Sequence, residues 1–157
     1  MSYEMKYGHS LLTPDDIYLF NEGNHFQLYD KLGARPVEVE GVSGVHFAVW
    51  APSASKVSLI GDFNNWTPGS HPLKPVGSSG IWEGFCAGLG RGSLYKYHIQ
   101  STQRRYEVAK TDPFAFHCET PPRTSSIVWD IGYTWNDDVW MSGRGARHAL
   151  TSPLAIY

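Results

Sequence analysis

Apolar and polar residues alternate along the middle of the chain. From Val37, "VEVEGVSGVHFAVWAP" holds two alternating runs around a glycine turn. In the second run Val45, Phe47 and Val49 fall on one face, and His46, Ala48 and Trp50 on the other. Residues 56–60 (KVSLI), 81–87 (IWEGFCA) and 94–100 (LYKYHIQ) read as further short strands. In the last of these Tyr95, Tyr97 and Ile99 share a face, and Lys96 and His98 share the opposite one. Lys96 therefore faces out if the tyrosines turn in. Gly, Ser and Pro fill the joints. Short strands at this spacing, with no helical stretch between them, predict an all-β fold, an antiparallel Ig-like β-sandwich. No internal repeat is visible.

The flanks break this period. Thr13-Pro14-Asp15-Asp16 predicts a helix start: Thr13 can cap, Pro14 fits the first helical position, and the two acids favour the positive end of the dipole. Ile17, Leu19 and Phe20 supply its apolar side, and Gly23 can end it. "FQLYDKL", just before Gly33, predicts a second short turn. After about Pro122 the chain reads as a last strand, an aromatic connector and a short helix. That helix is expected from Asn136, with Asp137 and Asp138 in its first turn. Leu154-Ala155-Ile156-Tyr157 is an apolar run with no turn signal after it, and reads as the first strand of a further structure. These signals divide the chain into a helical segment (1–35), a β-sandwich (36–130) and a connector (131–157).

The 157 residues suit one domain with a short remainder. A composition 41% hydrophobic and 18% charged argues against disorder, and 14% aromatics can supply both a core and a binding face. The net charge of −2 gives no electrostatic case for nucleic acid, because the only basic cluster, Arg104-Arg105, is too short to form a patch. No apolar run approaches the ~20 residues that span a membrane. The N-terminus lacks the apolar core of a signal peptide, so the expected compartment is cytoplasmic, with Cys86 and Cys118 as free thiols.

Several motifs are declined. Asn65-Trp66-Thr67 matches the glycosylation triplet, but no secretory signal accompanies it. "GLGRGS" (88–93) lacks phosphate-loop spacing and leads into a strand, which predicts a hairpin turn. The His and Cys residues lack zinc spacing, so neither metal nor cofactor is expected. No carboxylate pair or serine elbow defines a catalytic centre.

One stretch stands apart, "LIGDFNNWTPGSHPL" (59–73), which places a tryptophan in the most turn-like part of the chain. A Trp can lie against the C–H face of a pyranose while amides and ammonium groups bond its hydroxyls. Asn64 and Asn65 beside Trp66, and the outward Lys96, offer those groups. The alternative is a Trp that covers the end of the sandwich. The residues alone leave both open.

"VSGVHFAVWAPSASKVSLIGDFNNW", "GIWEGF", "LYKYHI" and "KTDPFAF" resemble the glycogen-binding module at the front of α-glucan-processing enzymes, and the glycogen-sensing domain in the β subunit of AMP-activated kinase. The flanking "DIYLFNEGNHFQLYDKLGA", "PPRTSSIV" and "WNDDVWMSGRGARHALTSPLAIY" resemble 1,4-α-glucan branching enzymes in particular. Together these motifs cover nearly the whole chain, from about Asp16 to Tyr157.

The resemblance implies an N-terminal, non-catalytic module that binds α-1,4-glucan or glycogen and docks on a catalytic (β/α)8 barrel, the first strand of which would begin at 154–157. It gives Trp66 the sugar-stacking role and Lys96 the hydroxyl-bonding role. Where the kinase-type pattern has a second Trp shortly before Asp-Pro, this chain has "QRRYEVAKTDP". Tyr106 is the nearest aromatic there, offset and smaller. The other readings are the equivalent module of a debranching or trehalose-releasing enzyme, a glycogen-sensing subunit, and an Ig-like protein-interaction domain.

Overall fold

The computed structural model describes residues 3–103, 106–147, 151 and 153. In chain order its elements begin with β1 (Glu4–Lys6), α1 (Pro14–Asn21), β2 (Gly33–Val39), β3 (Val42–Trp50) and β4 (Ala54–Gly61). Next come β5 (His71–Pro72), β6 (Lys74–Pro75), β7 (Ile81–Ala87) and β8 (Leu94–Ser101). The chain continues through β9 (Glu107–Lys110), β10 (His117–Cys118), β11 (Ser126–Ile127) and α2 (Asp138–Arg147). The run at 154–157 lies outside the described residues.

The strands form two antiparallel sheets. The first has the order β1-β7-β3-β2, with β6 also on β7; the second has β10-β11-β8-β4-β5, with β9 also on β8. The β2–β3 hairpin turns at Glu40-Gly41, both at positive φ (52° and 76°), as a two-residue turn between right-twisted strands requires. The glycine-rich segment 88–93 is not the hairpin turn its sequence suggests. It leads from β7 in the first sheet to β8 in the second. Alternation sets which face a residue takes but not which sheet its strand joins.

Between the sheets lie Val45, Phe47 and Val49 of β3, Val57 and Leu59 of β4, Cys86 of β7, and Tyr95 and Tyr97 of β8. The predicted inward face of β8 is therefore correct for both tyrosines, while Ile99 is only half-buried at the core margin. Fully burying one such side chain contributes roughly 1.5–3 kcal/mol. Each tyrosine carries a hydroxyl inward, and both hydroxyls donate to Asp112 Oδ2, at 2.6 Å from Tyr95 and 3.3 Å from Tyr97. Phe114 N–H donates to the other carboxylate oxygen at 2.8 Å. Burial still dominates, and it pushes the Asp112 carboxyl above its ordinary range. This network pins the roll of β8 and so turns its alternate residues outward.

The outer face of the first sheet is covered by the chain's own N-terminal part. β1, a three-residue strand with no alternating run of its own, pairs with β7. Leu12 and Leu32 bury against Ala48 and Ile81, with Ile17 and Phe20 of α1 packed on them. The start of α1 is as predicted. Thr13 and Asp16 form a capping box, and Asp16 also holds His25 at 2.8 Å and Lys31 at 3.0 Å. Partial burial opposes ionisation of Asp16, but the bonds from Thr13, Lys31 and His25 outweigh it and hold the carboxyl well below its ordinary range. At the other end, Met141 N–H donates to Asp137 O at 2.8 Å, which places the start of α2 within two residues of expectation. Trp129 packs on the sandwich, between His117 and Arg91, whereas Trp135 and Trp140 are exposed and do not share that packing.

Candidate functional site

The outer face of the second sheet is open, and the segment 61–70 rises from its β4 end. Gly61 is extended, and a Cβ there would run into Leu94 O, so the strand can end this close to β8 only with glycine. Two aromatics follow and part company. Phe63 turns down to pack on the core margin, edge-on to Tyr3 and His71. Trp66 stays out, 38% exposed. Its backbone, with that of Asn65, is left-handed (φ 58° and 51°). For a bulky residue that conformation costs on the order of 1–3 kcal/mol and persists only where the surroundings impose it. Here Trp66 N–H donates to Gly61 O at 2.8 Å, and Asn64 secures the loop.

Asn64 Oδ1 accepts from Gly61 N–H at 2.9 Å. Its amide nitrogen lies 3.0 Å from Leu59 O, 2.9 Å from Ser70 Oγ and 3.1 Å from His71 Nδ1. The side chain that the sequence offered as a sugar contact is engaged inside the loop. Its part is to hold Trp66. Asn65 is exposed and makes no side-chain hydrogen bond among the described residues, so its amide is free.

The loop lies on the same side of the sheet as Lys96. Gly69 N–H donates to Ser58 Oγ at 3.0 Å, and Ser58, between the inward Val57 and Leu59, points outward. Ser58 pairs with His98, and Ile60 with Lys96. Lys96 Nζ donates to Thr124 Oγ1 at 2.7 Å, and Thr124 O accepts from Thr111 at 2.6 Å. Thr124 was not singled out in the sequence: it sits 28 residues from its partner in an irregular loop and carries no periodic signal. Beside Lys96, Leu94 and Ile127 line a groove of about 660 Å³ with Asp62 and the loop 119–123.

Tyr106 is 57% exposed but stands at the other end of β8. Its carbonyl accepts from Ser101 N–H at 2.8 Å, whereas the Trp66 loop is tied to Gly61, opposite Tyr95. Six residues of β8 separate the two anchor points, roughly 20 Å. The backbones that carry Trp66 and Tyr106 are thus anchored at opposite ends of β8.

Fold and surface together define a β-sandwich with a turn-borne tryptophan over an open polar face. The family model of carbohydrate-binding module 48 (isoamylase N-terminal domain) matches residues 31–115, and the chain belongs to that family. It is 51% identical over 144 residues to the 1,4-alpha-glucan branching enzyme GlgB of Synechococcus sp. (strain JA-2-3B'a(2-13)), an alignment covering 90% of this chain and 19% of that protein. It is 50% identical over 149 residues to GlgB of Aquifex aeolicus, covering 94% of this chain and 23% of that one. The chain thus spans about a fifth of the length of these relatives. Among solved structures, a Klebsiella pneumoniae pullulanase complexed with maltotriose superposes with a TM-score of 0.52 at 28% identity, over 64% of this chain and 10% of that one.

Proposed function

We propose that this chain is the α-glucan-binding and docking module of a 1,4-α-glucan branching enzyme that works on glycogen in the cytoplasm. The observation that carries the reading is Trp66, held exposed in a strained backbone on the same face as Lys96. The near-50% identity to GlgB proteins over nine-tenths of the chain supports the choice of parent.

In such an enzyme an α-1,4-glucan is cut and the piece transferred to a 6-hydroxyl. A carboxylate nucleophile and a carboxylic acid on the barrel do that chemistry. The module itself is inert. It stacks a glucose on the Trp66 indole and bonds hydroxyls through Asn65 and Lys96, so raising the local glucan concentration at the barrel. The exposed Ile131, Tyr133, Trp135, Val139 and Trp140 of the connector and α2 supply the apolar surface for docking on the barrel. Retardation in a native gel cast with glycogen tests the binding. The wild-type chain is slowed and Trp66→Ala is not; equal mobility of the two, with and without glycogen, would count against the reading.

A further inference from the structure

A second polar cleft lies farther along the same face. Two cross-strand pairs, Lys56 with Gln100 and Ser58 with His98, place four polar side chains side by side. Leu73 and Trp82 close the cleft at the edge of the sandwich, and its volume is about 240 Å³. That is below the roughly 300–1,000 Å³ of pockets for drug-sized ligands, and suits a single ring. Gly69, three residues after Trp66, also lines it, so the cleft is continuous with the Trp66 loop.

The polar groups are available. Among the described residues the side chains of Lys56 and Gln100 make no hydrogen bond, and Ser58 Oγ accepts from Gly69 N–H but donates to nothing. The Trp82 ring is fixed by its N–H donating to Ala51 O at 3.1 Å. Glu107 stands 3.6 Å from His98 Nε2, and its carboxylate sets a negative charge at the His98 side of the cleft, which disfavours an anion there.

We infer that this cleft is a second subsite for a neutral glucose unit of the same glucan chain. The inference rests on the glucan reading of Trp66. From Lys96 to Gln100 is four residues of β8, roughly 13 Å, so only an oligosaccharide longer than a disaccharide reaches both. The module then selects linear chains by length.

Calorimetric titration with maltose and maltoheptaose, with amide spectra recorded alongside, tests this. Affinity is expected to rise with length, and the His98 and Gln100 amides to shift with maltoheptaose but not maltose. The Lys56→Ala/Gln100→Ala double variant, both positions on the sheet surface, loses about tenfold in maltoheptaose affinity and nothing for maltose. Trp66→Ala weakens both. A folded double variant with wild-type maltoheptaose affinity overturns the second subsite and leaves the Trp66 reading standing. Should the double variant fail to fold, unshifted His98 and Gln100 amides in the wild-type spectrum overturn it equally. Inorganic phosphate shifting those amides more than maltoheptaose overturns the neutral-sugar assignment. A wild-type chain that binds neither sugar overturns the glucan reading itself.

Discussion

The two sheets share a core and differ in what they do with their outer faces. On the first, His46 and Ala48 of β3 are wholly buried, because the N-terminal segment, α1 and the loop before β2 lie over them. On the second, the equivalent face leaves Lys96, His98 and Gln100 part-exposed between the loop that brings Thr124 to Lys96 and the loop 61–70, which holds Trp66 outward at a cost in backbone strain. Both faces come from alternating strands. The chain spends its extra apolar residues on closing one face and its strained turn on keeping the other furnished and open. The same fold thus shows both a face closed by apolar residues and a face left part-exposed.

Substitution in the covered face should have the largest effect on stability. Leu32, only 1% exposed, holds the N-terminal cover down. Leu32→Ala should destabilise by about 2–5 kcal/mol and leave the glucan affinity of the folded protein unchanged. Denaturant unfolding with parallel titrations reads both. A stable Leu32→Ala protein with lost affinity would show that the two faces are coupled.

The open face should respond in the reverse way. Trp66→Ala should cost about 2 kcal/mol or more of binding, roughly thirtyfold, with little change in Tm. Lys96→Met should lose about tenfold, since a charged hydrogen bond is worth about 1.5–3 kcal/mol and water recovers part of it. A large drop in stability for either variant would make its residue a structural one.

Acid offers a smaller effect that again singles out the cover. The folded-state value of Asp16 is depressed, so its contribution is present above about pH 4 and is lost as pH falls below that toward the folded value. Asp112 has the opposite sign, because its raised folded-state value removes stability as pH climbs from about 4 through that value. Thermal melts from about pH 6 to about pH 3 should fall less for Asp16→Asn than for the wild type. Parallel curves would remove the capping carboxylate from the account.

The smallest effect concerns the thiols. Both cysteines are free, Cys118 exposed and Cys86 buried, with burial pushing the Cys86 thiol up to about 12. Thiol titration of the native protein should count one fast group, and a second only after unfolding.

Much of this was legible in the residues. The period of two in β3 and β8 set Val45, Phe47 and Val49 against Tyr95 and Tyr97 and turned Lys96 out, because side-chain direction in a strand is a local property. The cap at Thr13 is equally local, since one backbone turn brings its side chain to Asp16. The placement of Trp66 in a polar turn drew attention to it, but hydropathy could not say which of Phe63 and Trp66 would go in. That depended on the positive φ at Asn65 and Trp66, and on Asn64 being consumed by Gly61, Leu59 and Ser70. Nor could spacing show that Tyr106 lies six strand residues from the loop, that Thr124 meets Lys96, or that the segment 88–93 crosses between sheets. These are choices of partner made across long stretches of chain, and packing of the whole sandwich decides them. Strand facing and turn positions follow from local residue order; which face stayed part-exposed and which side chains met there follow from sheet pairing between distant residues, which no local pattern encodes.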